Sequence, residues 1–300
     1  MAEALLAIER KKYHKKLIQQ GLLCICGDKG IPSNADKDNA ISVYAAKEIA
    51  KKLQVPNGDK LSPQKAGSTF EQINKDFLEA TFPELKHLRP GDWGIIKIGN
   101  NQSKETSHFV QYEHLNKLND LANDNPELAA SVGNNYTVTP DIVIYQELLK
   151  DSEINAGKKI IVDNSTAQRS SIRKREGNIR ILHASVSAKW TIRSDRAQNS
   201  RTEALGLIRN RKGRLPHIVV VTGEPLPSRI ASLALGTGDI DCVYHFALNE
   251  LETAIENLNK PTGPKQFDKK TIEKEYKTFR SLLDGKRLKD ISDLPLDLLL

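Results

Sequence analysis

The sequence predicts an α/β protein, with a central mixed sheet flanked by helices. Three observations lead there. From residue 93 onward, β-rich runs alternate with helical stretches, as in a layered α/β fold. One of these runs, Ile181 to Ile192, alternates apolar and polar side chains with the period of a strand. No internal repeat or Pro/Gly-rich linker divides the 300 residues, so a single domain spanning 1–300 is expected.

The elements follow in chain order. Residues 2 to 20 read as a charged helix closed by Gly21, and Leu22 to Cys26 as a short strand-like run. Residues 27 to 39 are a polar loop full of turn residues. Helices are expected near 40–53, 69–80 and 109–131, the second beginning at Ser68-Thr-Phe-Glu71, which has capping-box spacing. Trp93 to Gly99 reads as a strand. β-rich segments follow at Val138–Tyr145, Lys159–Val162, Ile181–Ile192, His217–Thr222 and Cys242–Leu248. Helices near 196–210, 227–235, 249–258 and 270–284 lie between or after them.

Composition excludes several classes. Charged residues make up 28% and apolar ones 38%, the balance of a folded chain rather than a disordered or collagen-like one. No apolar run approaches the roughly 20 residues of a membrane span, and the N-terminal stretch is too short and acidic for a secretory signal. Three cysteines, an odd number, argue against a disulfide framework and for a reducing cytoplasm. The net charge of +7 is unevenly placed: residues 165 to 215 hold 13 cations and 3 anions, so the remainder of the chain is slightly acidic. Arginine dominates that window, and its planar fork suits phosphates and guanine edges. A polyanionic partner, nucleic acid above all, fits this pattern, although a solvated basic face would account for the charge alone.

The alternating run carries the chemistry. His183, Ser185, Ser187, Lys189 and Thr191 share one face, and Leu182, Ala184, Val186, Ala188, Trp190 and Ile192 the other. The apolar face is expected on the core and the polar face on a half-exposed surface or a cleft, with Lys189 either snorkelling to solvent or working. Asp141 stands near the start of the Val138–Tyr145 run. An Asp on one strand and Ser187-x-Lys189 on the next match the arrangement of metal-dependent nucleases. There the carboxylate holds a hard divalent cation beside the scissile phosphate. The Lys orients and deprotonates the attacking water and offsets charge on the phosphorane. Taken alone, an Asp 48 residues before the Lys of Ser-x-Lys also arises by chance.

Such nucleases commonly carry an acid two residues before the Lys. Ser187 stands there instead and cannot neutralise a metal, so a substitute carboxylate is needed. Glu203 is the best candidate, because the helix after the strand can return it beside Asp141. The bland alternative is a solvated Glu203 paired with Arg196 or Arg209. Glu71 is a further candidate, its capping-box position being the structural rival. Arg193-Ser-Asp195-Arg196 follows directly. Arg pairs bidentately with guanine O6 and N7, and an acid accepts from cytosine N4, so this cluster suits G·C pairs in a major groove. Its alternative is an Arg–Asp network at a helix start, with Asp195 as N-cap. The chain has no phosphate-binding loop and no metal-spaced histidines. Cys24-x-Cys26 lacks a second pair and reads as buried strand cysteines, and His183 and His217 as packed, hydrogen-bonded residues.

Val138-Thr-Pro-Asp-Ile-Val143, followed by Leu182 through Ser200, resembles the NgoMIV-type type II (IIF) restriction endonucleases, a CCGG-core family. The resemblance continues through Arg209–Thr222, Pro227–Phe246 and Gly285–Asp297, with earlier islands at Ser33–Asp36 and His87–Trp93. It spans nearly the whole chain, with divergent patches near 55–65, 100–108, 151–178 and 259–280. It implies the restriction-endonuclease PD-(D/E)xK fold and Mg²⁺-dependent cleavage of duplex GCCGGC after the first G, leaving four-base 5′ overhangs. It also implies two Mg²⁺ ions per site and a homotetramer, a dimer of dimers, acting on two sites. By this resemblance the active-site residues fall on Asp141, Ser187, Lys189, Glu203 and Glu71, with Asp141 and Glu203 as metal ligands. The readers of the central CCGG fall on Arg193, Asp195 and Arg196, and the outer-pair contacts on Asp36, Gln64 and Arg229. The chain departs from the family pattern at Lys37-Asp38, where the family has smaller uncharged residues. A cognate DNA methyltransferase and a cytoplasmic prokaryotic location are the expected setting. Two alternatives stay open from the residues: a non-catalytic DNA-binding protein on the same fold, and a repair or junction nuclease.

Overall fold

The computed structural model describes residues 3–98, 108–115, 118, 121, 127, 140–174, 179–192, 194–236, 238–264 and 267–300, with the side chains of 194–197 outside that set. The first helix, α1 (Leu5–Gln19), stops as expected at Gly21, whose φ of +69° takes the chain out of the helix at no steric cost. Of the predicted strand Leu22–Cys26 only β1 (Ile25–Cys26) forms, antiparallel to β2 (Ile31–Pro32). Leu22, Leu23 and Cys24 are buried in the core without joining a ladder. Asn39 caps α2 (Ala40–Lys52) by accepting from Ser42 N at 2.9 Å.

Helix α3 (Pro63–Thr81) corrects the sequence reading. It starts six residues earlier than 69, because Ser62 supplies the N-cap, accepting from Lys65 N at 3.4 Å, and Pro63 provides a preformed first turn. Ser68 therefore lies inside the helix, and Glu71 is not a capping-box residue.

The main sheet has six strands in the order β3 (Trp93–Lys97), β4 (Ile142–Gln146), β5 (Ile181–Lys189), β6 (His217–Thr222), β7 (Cys242–His245) and β8 (Leu288–Asp290). The pairs β3–β4 and β4–β5 are antiparallel, and β5–β6, β6–β7 and β7–β8 are parallel, so the sheet is mixed as expected. The parallel pairs need crossovers. These are supplied by α5 (Ser194–Asn210) and α6 (Pro227–Ala234), and by α7 (Leu248–Asn259) with α8 (Lys269–Asp284). A short α4 (Asp151–Ile154) follows β4, and α9 (Leu294–Asp297) follows β8. The β4–β5 ladder shifts register between Ile144 and Tyr145: Ile144 faces Ala184 but Tyr145 faces Leu182, leaving His183 as the extra residue of a bulge. The main apolar core runs from Tyr13 in α1 to Leu298 near the end of the chain, beside a small cluster of Ile41, Leu226, Leu258 and Ile272. No helix among the described residues is long and apolar enough to cross a membrane.

Several expectations change. The polar face of β5 is not half-exposed: His183 and Ser185 are each 5% exposed and Ser187 8%, because α3 packs across β5. The polar groups are accommodated within the fold; His183 Nε2 meets Leu298 O at 2.6 Å, and His217 Nε2 meets Leu300 O at 3.3 Å, so both histidines are packed and hydrogen-bonded. Lys159–Val162 is not a strand. The Asn155 side chain takes the N–H groups of Ile161 and Val162 and donates to Val162 O, so the end of this segment finds its hydrogen bonds without a partner strand. Most of the predicted helix 109–131, and Val138 and Thr139 of the predicted strand, lie outside the described residues.

Candidate active site and DNA-facing cleft

Asp141 precedes β4 and faces the end of β5. Its Oδ2 accepts from Ala188 N at 2.7 Å, Lys189 Nζ at 2.9 Å and Ser187 Oγ at 3.3 Å. Three donors on consecutive residues of one strand thus fix a carboxylate from the neighbouring one, the arrangement the sequence spacing predicts.

Glu203 arrives from α5. Ser200, Ala204 and Leu207 form the buried stripe of that helix, and Glu203 sits on the same side, turned back toward the sheet. Burial raises its carboxyl to about 7, with the positive charge of Lys189 opposing the shift and Asp141 adding to it. Glu71 arrives from α3, which packs on β3 and β5. Its Oε2 lies 3.0 Å from Lys97 Nζ, and Lys97 also donates to Ser68 Oγ at 2.8 Å and Ser68 O at 3.0 Å. Burial raises the Glu71 carboxyl, Lys97 and Lys189 oppose it, and Asp141 adds repulsion. Burial alone would lower the Lys189 ammonium, but Asp141, Glu203 and Glu71 together hold it above the ordinary range. The five predicted residues therefore form one electrostatic group, and the solvated alternative for Glu203 does not hold. Sequence reasoning missed Lys97. A lysine inside a run as apolar as Trp93–Ile98 was the available signal.

The donor set is all oxygen, which suits a hard divalent cation. Among the described residues no group of three or more His, Cys, Asp or Glu side chains is arranged to hold a metal ion. A cation at this site would thus take one or two carboxylates from the protein and the remaining oxygens from water and phosphate, the usual habit of Mg²⁺. Two of these carboxyls are raised above their ordinary values partly by a negative neighbour, which a cation would relieve. The residues fit such an ion.

Beyond the end of β5 opens a cleft of about 1140 Å³, lined among others by Asp36, Lys37, Lys60, Thr191, Arg201 and Arg229. Arg229 Nη2 donates to Asp36 Oδ2, so two predicted outer-pair residues meet across this cleft. Gln64, the third, is exposed on the first turn of α3 and is not among the cleft-lining residues. Arg193 lies outside the described residues; Asp195 and Arg196 belong to the backbone of α5, and their side chains lie outside the described set. The basic window is not all available to a polyanion. Arg173 is 2% exposed and bound to Asp151, and Arg180 pairs with Glu147 at 2.9 Å and stacks over Tyr145. Cys24 and Cys26 are free thiols with their sulfurs 3.3 Å apart.

A model of the family described as NgoMIV restriction enzyme matches residues 13–300. The type II restriction enzyme NgoMIV of Neisseria gonorrhoeae is 49% identical over 291 residues, which is 97% of each chain. Among solved structures, the Type IIF restriction endonuclease Bse634I with cognate DNA is 14% identical, covering 96% of this chain and 92% of that one at a TM-score of 0.33. The pre-specific complex of restriction endonuclease BsaWI with DNA is also 14% identical, covering 82% of this chain and 76% of that one at a TM-score of 0.30. At those scores neither structural likeness carries weight.

Proposed function

The chain belongs to the NgoMIV restriction enzyme family, and from that membership we propose that Asp141, Ser187, Lys189, Glu203 and Glu71 form the centre with which it hydrolyses duplex DNA. The target is a palindromic CCGG-containing site, GCCGGC in full, cut after the first G. The observation that carries this reading is the convergence of Lys189 Nζ, Ala188 N and Ser187 Oγ on a single oxygen of Asp141.

Restriction endonucleases of this family use divalent metal ions. Here the ion is Mg²⁺, two per site, with Asp141 and Glu203 as protein ligands. The bound ion supplies charge at the scissile phosphate and a more acidic attacking water. Lys189 does its work as a cation. Its carboxylate neighbours hold the proton on, so at neutral pH it offers charge and hydrogen bonds to the phosphorane rather than taking a proton, a change from the sequence reading. Ser187 fixes Asp141 without adding charge, and Glu71, held by Lys97, completes the acidic group.

Arg193, Asp195 and Arg196, just beyond Lys189, read the CCGG core, and Asp36 and Arg229 read the outer pair across the cleft, with Gln64 assisting from the α3 start. A palindrome calls for a two-fold dimer, each protomer reading a half-site, and two such dimers make the tetramer. The 300 residues act as one domain, supported by the continuous core. The setting is the cytoplasm of a prokaryote that protects its own sites with a cognate methyltransferase.

Digestion of a plasmid of known sequence with Mg²⁺, followed by end sequencing, tests this. Ends that all begin with 5′-CCGG are expected. Ends without a shared site, or a preference for branched DNA, would refute it.

A further inference from the structure

Glu224 is the most deeply buried carboxylate among the described residues, at 0% exposure, and the chemistry above does not use it. It follows β6 at a crowded crossing. Thr222 Oγ1 donates to Lys189 O at 2.8 Å and accepts from Glu224 N at 3.1 Å. Gly223 lets the chain pass the end of β5, for a Cβ there would stand 2.4 Å from Trp190 Cε3 and 2.8 Å from the Trp190 carbonyl oxygen. Asn34 Nδ2 donates to Gly223 O at 2.8 Å, tying the loop after β2 to the same point.

The Glu224 carboxylate then faces three partners. Its Oε2 accepts from Ile192 N at 3.0 Å, and its Oε1 from Leu226 N at 3.2 Å. Arg229 Nη1 lies 3.8 Å from Oε2, while Nη2 of the same guanidinium bonds Asp36. One buried carboxylate therefore grips the peptide that leads into Arg193 and also steers the arginine paired with Asp36.

We propose that Glu224 is a positioning residue for base discrimination, joining the segment that carries the core readers to the Arg229–Asp36 pair so that both take their places as one unit. The inference rests on the reader assignments given under Proposed function. Packing alone does not call for a charge here, since burying a carboxylate is costly unless its partners use it. A glutamine of the same shape offers one acceptor oxygen where two N–H groups arrive, and it carries no charge for Arg229. Burial raises this carboxyl to about 7, opposed by the two N–H groups and by Arg229, with Asp36 adding to the shift. Arg229 from α6 and Asp36 from the loop after β2 are the charged side chains that face it.

The test compares full-length wild type, Glu224→Gln and Arg229→Ala on duplexes carrying GCCGGC or the same site with its outer G·C pair exchanged. The readout is the ratio of kcat/KM between the two duplexes, in which the common effect of pH on the cutting step cancels. Both variants are expected to lose at least about tenfold in that ratio. The wild-type ratio should fall between about pH 8 and about pH 6, as the carboxylate takes up its proton, and stay flat in Glu224→Gln. If Arg229→Ala loses discrimination while Glu224→Gln keeps it, the inference is overturned and the reader assignment stands. If Arg229→Ala keeps it, the reader assignment fails, and the coupling with it. Should Glu224→Gln not fold, the wild-type series decides, a flat ratio overturning the inference.

Discussion

Lys189 donates to Asp141 Oδ2 at 2.9 Å, and the backbone N–H of Ala188 donates to the same oxygen at 2.7 Å. The carboxylate is thus held by the strand itself as well as by the ammonium, and truncating the lysine leaves Asp141 in place. Lys189→Ala is expected to fold and bind the site while single-turnover cleavage drops by about 10²- to 10⁴-fold. Cutting within a few-fold of wild type would remove Lys189 from the reaction.

Glu203 predicts a pH dependence with a definite sign. Its carboxyl sits at about 7 in the folded chain against an ordinary value of 4.5. The folded state therefore binds this proton more tightly than the unfolded one. Without metal, the group's contribution to stability is fully present below the ordinary value and is lost as pH rises through about 7. In a chelator, Glu203→Gln should melt higher relative to wild type at alkaline pH than at acidic pH. Added Mg²⁺ should raise the wild-type melting temperature at alkaline pH and leave the variant nearly unmoved. Identical metal responses in the two proteins would contradict the ligand role.

Lys97 holds Glu71 at 3.0 Å in a half-buried site that also feels Asp141. Its loss should let the Glu71 carboxyl rise further. Lys97→Ala is expected to slow cleavage about tenfold and move the acidic limb of the pH–rate profile upward, with Lys97→Arg restoring both. An unshifted profile would leave Lys97 without a part in the site.

Arg173 closes the segment after β4. It meets Asp151 with two bonds of 2.5 and 2.6 Å and reaches the carbonyls of Thr166 and Asp163 at 2.5 and 2.8 Å. Arg173→Ala should leave the Asp151 carboxylate and the carbonyls of Thr166 and Asp163 without their shared donor and so loosen the segment they belong to. Limited proteolysis should then cleave within 151–172 sooner than in wild type, with DNA cleavage retained. Unchanged proteolysis would show that the segment closes without it.

The pairing of Asp141 with Ser187-x-Lys189 was legible because strands alternate and this spacing needs only two adjacent strands to be realised. Glu203 was legible because the stripe of α5 at Ser200, Ala204 and Leu207 fixes its direction. Glu71 was ambiguous because Ser68 and Ser62 both have capping chemistry, and only the Pro63 start decides between them. Between the half-exposed surface and the cleft left open for the polar face of β5 the sequence could not choose, since alternation reports two faces but not what covers them; α3 and the last residues of the chain cover the polar one. Lys159–Val162 has strand composition, but the backbone of its last two residues is taken up by one asparagine side chain. Glu224 left no local signature, because only Leu226 and Arg229 lie near it in sequence, while Ile192, and the Asp36 that pairs with Arg229, come from distant stretches of the chain.

The surplus residue at His183 has a bearing on how this chain can vary in length. Were His183 paired into a bulge-free ladder continued from Tyr145–Leu182, Asp141 would stand opposite Val186 instead of Ser187, and a slip of one position reverses the side of a sheet on which a side chain emerges. Loss of His183 itself would close the bulge: Leu182 opposite Tyr145 and Ala184 opposite Ile144 would become neighbours in a regular ladder, and the acid would keep its place beside the lysine. A codon can thus be lost at that spot without turning the acid away, because the strand carries one residue more than its neighbour pairs with.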